Sequence, residues 1–256
     1  MAKKHQQQHE RHSNSRSRRV QFGQTHYEPF ADDGFSQQAV QSPKPAEPLV
    51  AKNDRQKRYI NAIDRSEVIF ATGPAGTGKT YIAGAKAVEM LRSRKVEKIY
   101  ITRPAVEAGE SLGFLPGELE EKYEPYLAAF RDVLNERMGK GAVECQIKLG
   151  NIEGLPFAYM RGRTFKNCVV ILDEAQNATK AQMKLFLTRI GENCKVIING
   201  DESQADIRDS GFMDAVSRVS HIPSVTVVRF DNRDVVRSSF VAEVVAAYQD
   251  ETAVIH

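Results

Sequence analysis

The chain has little cysteine and no long hydrophobic run, and each shortage rules something out. Three cysteines occur in 256 residues, Cys145, Cys168 and Cys194. Their number is odd and none pairs as Cys-x-x-Cys, which argues against a disulfide framework and against the usual zinc spacings. Cys168 and Cys194 each precede an apolar stretch and read as small buried hydrophobes rather than nucleophiles. No uninterrupted apolar segment approaches the roughly 18 residues of a membrane span. The basic N-terminus lacks an apolar core segment, so no secretory signal is expected. The expectation is a soluble protein of the reducing cytoplasm with no membrane partner.

Net charge is also small: 36 Lys+Arg against 33 Asp+Glu, a formal +3. The excess is uneven. Residues 1–20 carry six bases (Lys3, Lys4, Arg11, Arg16, Arg18, Arg19) and one acid, Glu10, which leaves 30 bases and 32 acids for the rest. A basic arm on a near-neutral body suits a polyanion or an anionic surface, and equally a solvated tail. Residues 1–50 are rich in Gln, Ser, Arg, His and Pro and end in Pro43-Lys-Pro45-Ala-Glu-Pro48. They carry too little apolar surface to offset ordering entropy, which predicts a disordered arm and linker before a single domain over 51–256. His5, His9 and His12 recur at near-helical spacing, but without accompanying carboxylates or thiols they read as tail rather than metal ligands.

What is there begins with Gly73-Pro74-Ala75-Gly76-Thr77-Gly78-Lys79-Thr80, directly after the apolar run Val68–Ala71 and before a helical pattern. This is G-x-x-x-x-G-K-[ST] in a strand–turn–helix setting, a phosphate loop. The glycines allow a tight turn whose N–H groups converge on an anion, and the helix dipole adds to that field. Lys79 is expected on the β- and γ-phosphates and Thr80 on Mg²⁺; Tyr81, the next residue, is counted with the nucleotide contacts. Upstream, Asn53-Asp54 caps a predicted helix with Tyr59, Ile60 and Ile63 inward. Gln56, on another face, is a candidate for the adenine edge because its amide both donates and accepts, or else a solvated helix residue.

A second strand, Lys98–Thr102, ends in Arg103-Pro104 at the edge where parallel sheets bind ligands; Arg103 reads as a phosphate or nucleic-acid contact or a surface salt bridge. Glu107 to Gly117 forms a long loop with Leu112, Phe114 and Leu115 at its centre, and such loops are more often functional than passive. Helical periodicity from Glu118 to about Met138 stops at Gly139-Lys-Gly141, with an interruption expected near Pro125. Residues 142–167 give no firm pattern, beyond a basic spot at Arg161-Gly-Arg163 that either faces a polynucleotide or is a solvated turn.

Cys168-Val-Val-Ile-Leu-Asp173-Glu174 reads as a doubly buried strand ending in paired acids. Asp173 is assigned to Mg²⁺ and Glu174 to activating or positioning the water that attacks the γ-phosphate. Thr179 caps the next helix, expected to bury Met183, Phe186, Leu187 and Ile190. A further strand ends in Asn199-Gly200-Asp201, where Gln204 or Asn199 would touch the γ-phosphate or the water. After a helix over Gly211–Ser220 and a strand over Val225–Phe230, the segment from Asp231 is predicted to open a helix running to Tyr248. Arg229, Arg233 and Arg237 are candidates for a transition-state arginine, or for surface pairs with Asp231 or Asp234.

These residues together resemble the PhoH-like proteins, the phosphate-starvation-inducible ATPases of bacteria and phages. The matching pieces are the phosphate loop, Ile101-Thr-Arg-Pro104, Ser111-Leu-Gly-Phe-Leu-Pro-Gly117, Ile171-Leu-Asp-Glu-Ala-Gln-Asn177, Asn199-Gly-Asp201 with Gln204, and Asp234-Val-Val-Arg237. Gly200-Asp201-x-x-Gln204 is also similar to a motif of superfamily 1 helicase motor cores. The resemblance implies an α/β, RecA-like P-loop fold with a mostly parallel sheet between helices, ATP and Mg²⁺ as cofactors, ATP hydrolysis, ring homo-oligomers (a hexamer is one possibility), and a role with RNA. Only one motor core and no appended nuclease or RNA-binding domain is expected here, which argues against a processive monomeric helicase. The leading expectation is a Mg²⁺-dependent ATPase coupled to single-stranded RNA, with arginines supplied in trans. The alternatives are a slow nucleotide-gated scaffold that recruits protein partners and a small-molecule phosphotransferase.

Overall fold

The computed structural model describes residues 47–104 and 119–236. The arm before residue 47, the Leu112–Leu115 loop, Arg237 and the helix expected to reach Tyr248 lie outside the described residues.

Six parallel strands form one sheet in the order β3-β2-β4-β5-β1-β6. They are β1 (Val68–Thr72), β2 (Lys98–Thr102), β3 (Ile152–Gly154), β4 (Cys168–Leu172), β5 (Cys194–Gly200) and β6 (Val225–Arg229). β1 and β4 are buried along their whole length, as continuous apolar runs in a covered parallel sheet should be. Alternate side chains separate into two cores. Ile69, Ala71, Ile101 and Ile197 face α1 (Asp54–Arg65), α2 (Lys79–Arg92) and α3 (Leu119–Met138). Phe70, Val170, Leu172 and Ile198 face α5 (Lys180–Leu187) and α6 (Phe212–Val219). The α/β architecture is therefore a parallel sheet with helices on both faces, as the sequence implied.

Several local expectations are corrected. α3 runs unbroken from Leu119 to Met138 through Pro125. Pro125 lacks one N–H, but Leu127, Phe130, Val133 and Leu134 bury a continuous face in the core beside α2, and that packing carries the helix. Gly139, at φ 84°, ends α3, yet α4 (Lys140–Lys148) starts at the next residue and includes Gly141. β3, a three-residue edge strand, lies within the stretch that showed no pattern. Arg163 of the basic spot reaches Glu153 of that strand at 3.6 Å. α5 stops at Leu187, and Ile190 forms an isolated bridge with Phe165 instead of a further helical turn. Gly84, where the sequence predicts close packing on the sheet, instead allows close approach of α2 to α3: a Cβ there would lie 2.6 Å from Val133 Cγ1.

Topology positions the site. β5 lies between β1 and β4, so the carboxyl ends of three adjacent strands bring Gly73, Asp173 and Asn199–Asp201 to one edge.

Candidate active site

The loop after β1 is held from several sides. Gly73 donates its N–H to the Gly200 carbonyl at 3.2 Å. Its φ of +135° and the Phe230 carbonyl, 2.3 Å from where a Cβ would sit, leave room only for glycine. Thr77 donates its hydroxyl to the Pro74 carbonyl at 3.0 Å. Gln56, 5% exposed, donates from Nε2 to the Thr77 carbonyl at 3.0 Å and accepts the Lys52 N–H at 2.8 Å. Gln56 is thus a buried strut beneath the loop, and its amide keeps one N–H and one lone pair without a partner among the described residues. The Val236 N–H donates to the Gly76 carbonyl at 2.9 Å. The N–H groups of Gly76 through Thr80 have no acceptor among the described residues, which suits a concavity for an anion.

Lys79 opens α2 and is buried; its ammonium donates to the carbonyls of Gly73 at 2.6 Å and Pro74 at 2.9 Å. Burial pushes its pKa below the usual lysine value, while the carboxylates of Asp201, Asp173 and Glu174 pull it back up.

Asp173, after β4, is 2% exposed. It accepts from the Thr80 hydroxyl at 3.2 Å, from Arg103 at 3.0 Å and from the Asn199 amide at 3.3 Å. Asn199 in turn accepts the Tyr59 hydroxyl at 2.6 Å. Burial, with the charge of Asp173 behind it, raises the Tyr59 pKa and keeps that hydroxyl a donor. Asn199 therefore backs Asp173 with both amide atoms engaged. Arg103 is a salt-bridge partner, as one reading had it, but inside the site; it also approaches Glu174 Oε1 at 3.8 Å.

Glu174 adopts a left-handed conformation, φ 54° and ψ 41°, uncommon for a residue with a Cβ and met at functional sites. Its side chain is half exposed, with Oε2 accepting from Gln176 at 2.7 Å. Asp201 is buried; one oxygen accepts from Ser203, and Oδ2 has no hydrogen-bond partner among the described residues. Gln204 sits exposed at the rim.

Lys79, Thr80, Asp173, Glu174, Asp201 and Gln204 line one cavity of about 260 Å³. Thr80 and Asp173 present hard oxygens side by side, the donor type Mg²⁺ prefers, and Asp201 Oδ2 is an orphaned acceptor in the same space. The residues present fit a Mg²⁺–phosphate group. A second cavity of about 550 Å³ lies across the loop, lined by Lys52, Gln56, Ile82 and Val236. Gly76, Gly78 and Tyr81 border both cavities. Tyr81 donates its hydroxyl to Glu136 at 2.6 Å, and that hydrogen bond raises its pKa.

The arginines are placed unequally. The segment from Asp231 forms a 3-10 turn over Asn232–Asp234 and then extends, so the predicted helix does not open there. Asp231 and Asp234 satisfy each other's backbone in a capping box, which closes the turn locally. Arg233 points outward, 89% exposed, with two bonds to Asp231 at 3.2 and 2.8 Å. Arg229, on edge strand β6, is exposed. Arg237 lies outside the described residues and follows Val236 in the chain. The sequence reading passed over Gln176 and Asn177, whose buried amides join the acid-bearing turn to the segment after β5. Two consecutive amide residues just after the paired acids were the available signal.

A protein-family model described as "PhoH-like protein" matches residues 48–249. Protein PhoH of Escherichia coli strain K12 is 49% identical over 206 residues, covering 78% of this chain and 58% of that protein. A PhoH-like protein of Bacillus subtilis strain 168 is 49% identical over 199 residues, 77% of this chain and 62% of that one. The chain thus spans about three-fifths of the length of these curated relatives. Among solved structures, Pif1 helicase from Candida albicans aligns over 79% of this chain and 44% of its own, with 15% identity and a TM-score of 0.40.

Proposed function

The chain belongs to the PhoH-like protein family, and from that premise we propose that it binds ATP with Mg²⁺ and hydrolyses it, with turnover coupled to single-stranded RNA. The observation that carries the reading is one cavity gathering Lys79, the Thr80–Asp173 pair and Glu174. The free N–H groups of the loop receive the β- and γ-phosphates, and Lys79 leaves its loop carbonyls for the phosphate oxygens. Thr80 and Asp173 would hold Mg²⁺, which would supply positive charge to offset that of the phosphate oxygens. Glu174 takes the proton of the attacking water and orients it in line. Gln204, at the rim, contacts that water or the γ-phosphate. Gln56 and Tyr81 border the second cavity, whose volume suits the base and ribose, and Gln56 offers its free donor and acceptor to adenine. The protein acts in the cytoplasm as a ring of identical subunits, each receiving an arginine from its neighbour.

RNA coupling rests on the resemblance and on the basic N-terminal arm. The test is steady-state ATP hydrolysis by the full chain with Mg²⁺, with and without single-stranded RNA, at low and moderate salt. RNA stimulation that fades with salt is expected, because phosphate contacts release counterions. Turnover indifferent to RNA would replace this reading with a nucleotide-gated scaffold, and a phosphorylated acceptor would replace it with a phosphotransferase. No hydrolysis under any condition would remove the enzyme reading altogether.

A further inference from the structure

Gln176 lies in the short turn Ala175–Asn177, two residues beyond the second acid and 1% exposed. Both ends of its amide are engaged. Nε2 donates to Glu174 Oε2 at 2.7 Å and, more weakly, to the Gln204 carbonyl at 3.4 Å. Oε1 accepts the Asp201 N–H at 2.9 Å. One side chain therefore touches the carboxylate at the end of β4 and both ends of the turn that follows β5. Asn177 makes a separate clamp on the same segment further along, exchanging two bonds with Asp206 at 2.8 Å each. The Asn177 side chain makes no hydrogen bond to Glu174 among the described residues; only the Asn177 backbone N–H reaches the Glu174 carbonyl, at 3.0 Å, a bond that a side-chain substitution leaves in place.

Geometry gives the two amides different work. Gln176 occupies Oε2 of Glu174, so Oε1, on the side of Arg103, is the oxygen left to meet a water. A carboxylate half exposed to solvent would otherwise rotate freely about its last torsion, which has a broad, roughly two-fold profile. A donor that is itself buried and fixed by a backbone N–H removes that freedom. Swinging Glu174 away would strand a buried N–H, and shifting the 201–204 turn would strand a buried acceptor; either is costly. The carboxylate and the turn are therefore joined through one amide.

We propose that Gln176 is a positioning residue that fixes the orientation of the Glu174 carboxylate and ties it to the Asp201–Gln204 turn, so that readying the attacking water and moving that turn are a single event. The proposal rests on the reading of Glu174 as the water-activating residue. It acts on the turnover step and not on nucleotide affinity, because Gln176 does not line the phosphate cavity.

The test compares Gln176→Glu, Gln176→Leu, Asn177→Ala and Glu174→Gln in the full chain, with kcat and KM for ATP hydrolysis measured beside equilibrium binding of a fluorescent ATP analogue. Gln176→Glu keeps an acceptor for the Asp201 N–H and loses the Nε2 donor to Glu174 and, with it, the weaker bond to the Gln204 carbonyl, so it tests the donor even if Gln176→Leu does not fold. Misplacing a reacting group by about an ångström costs on the order of 100-fold, and a loss of kcat of that size is expected in Gln176→Glu with binding unchanged. Asn177→Ala should keep most of the activity. Adding Gln176→Glu to Glu174→Gln should slow turnover no further, since both act through one carboxylate. Near-normal kcat in Gln176→Glu beside an inactive Glu174→Gln would overturn the proposal. Equal losses in Gln176→Glu and Asn177→Ala would also overturn it, leaving only packing of the turn. Normal hydrolysis by Glu174→Gln would instead remove the premise, a different failure with a different signature.

Discussion

Lys79 is bonded to carbonyls that, on the proposed reading, it releases to bind a nucleotide. Its ammonium rests on Gly73 and Pro74, so a nucleotide has to offer better acceptors than two backbone oxygens. Phosphate oxygens do, since bonds between charged partners are about twice as strong as neutral ones. Lys79→Ala is expected to weaken nucleotide binding by roughly 10- to 100-fold, the worth of about 1.5–3 kcal/mol for a hydrogen bond to a charged group. Glu174→Gln should bind normally and lose roughly 10²- to 10⁴-fold in kcat, the usual contribution of a general base. Binding titrations and single-turnover rates separate the two, and a Lys79→Ala protein with full affinity would remove that residue from the site. That both residues would line one cavity was legible because each motif sits at a fixed spacing after a strand. The amides of Gln56, Gln176 and Asn177 were not, because a buried polar residue is explained only by partners elsewhere. For Gln56 the partner is a carbonyl 21 positions away.

At the scale of elements, strands buried on both faces announced themselves as apolar runs, and β1, β2, β4, β5 and β6 follow the sequence closely. β3 did not, because Ile-Glu-Gly is too short to show a period and is selected by pairing with β2. The α3–α4 boundary was obscured by two glycines, of which only Gly139 takes a positive φ. Pro125 misled for a related reason: a local signal yields when the surrounding face is well buried. Gly84 gives the clearest test of that packing. Gly84→Val would press a side chain into Val133 and Phe130. Overpacking of this kind costs about 1–3 kcal/mol, more than the few tenths of a kcal/mol regained in helix propensity. The thermal midpoint should fall by about 2–4 °C for each kcal/mol lost, and an unchanged midpoint would mean that α2 and α3 are not in contact there.

For the whole molecule, the open question is what completes the site. Arg233 is turned outward and held by Asp231, so in the proposed ring it would be offered to a neighbour and not to the phosphate loop of its own chain. Arg237 follows a residue bonded to the phosphate loop. Arg237→Ala is expected to slow hydrolysis, with partial recovery when mixed with subunits that carry Lys79→Ala and supply an intact arginine. Recovery would indicate action between subunits; a slow mixture would mean an arginine working within its own chain, and an unchanged rate would exclude Arg237. Family membership and fold were legible from ordered motifs over most of the chain. Assembly was not, because a residue exposed in one subunit looks the same whether it meets solvent or a neighbour.

The bond from Val236 to Gly76, with that from Asn53 to the Asp234 carbonyl 181 positions away, brings the first helix and the last described turn together at the phosphate loop. Contacts so remote in sequence are expected to form late, after the sheet has brought their strands together. Nucleotide affinity would then belong to the finished fold and be absent from partly folded chains. ATP with Mg²⁺ should slow unfolding and leave the refolding rate unchanged, as ligands of late-forming regions do; a faster refolding limb in stopped-flow traces would place the loop in the nucleus instead. On the proposed reading, the nucleotide would act as a seal, taken up only once the first helix and the last described turn have met.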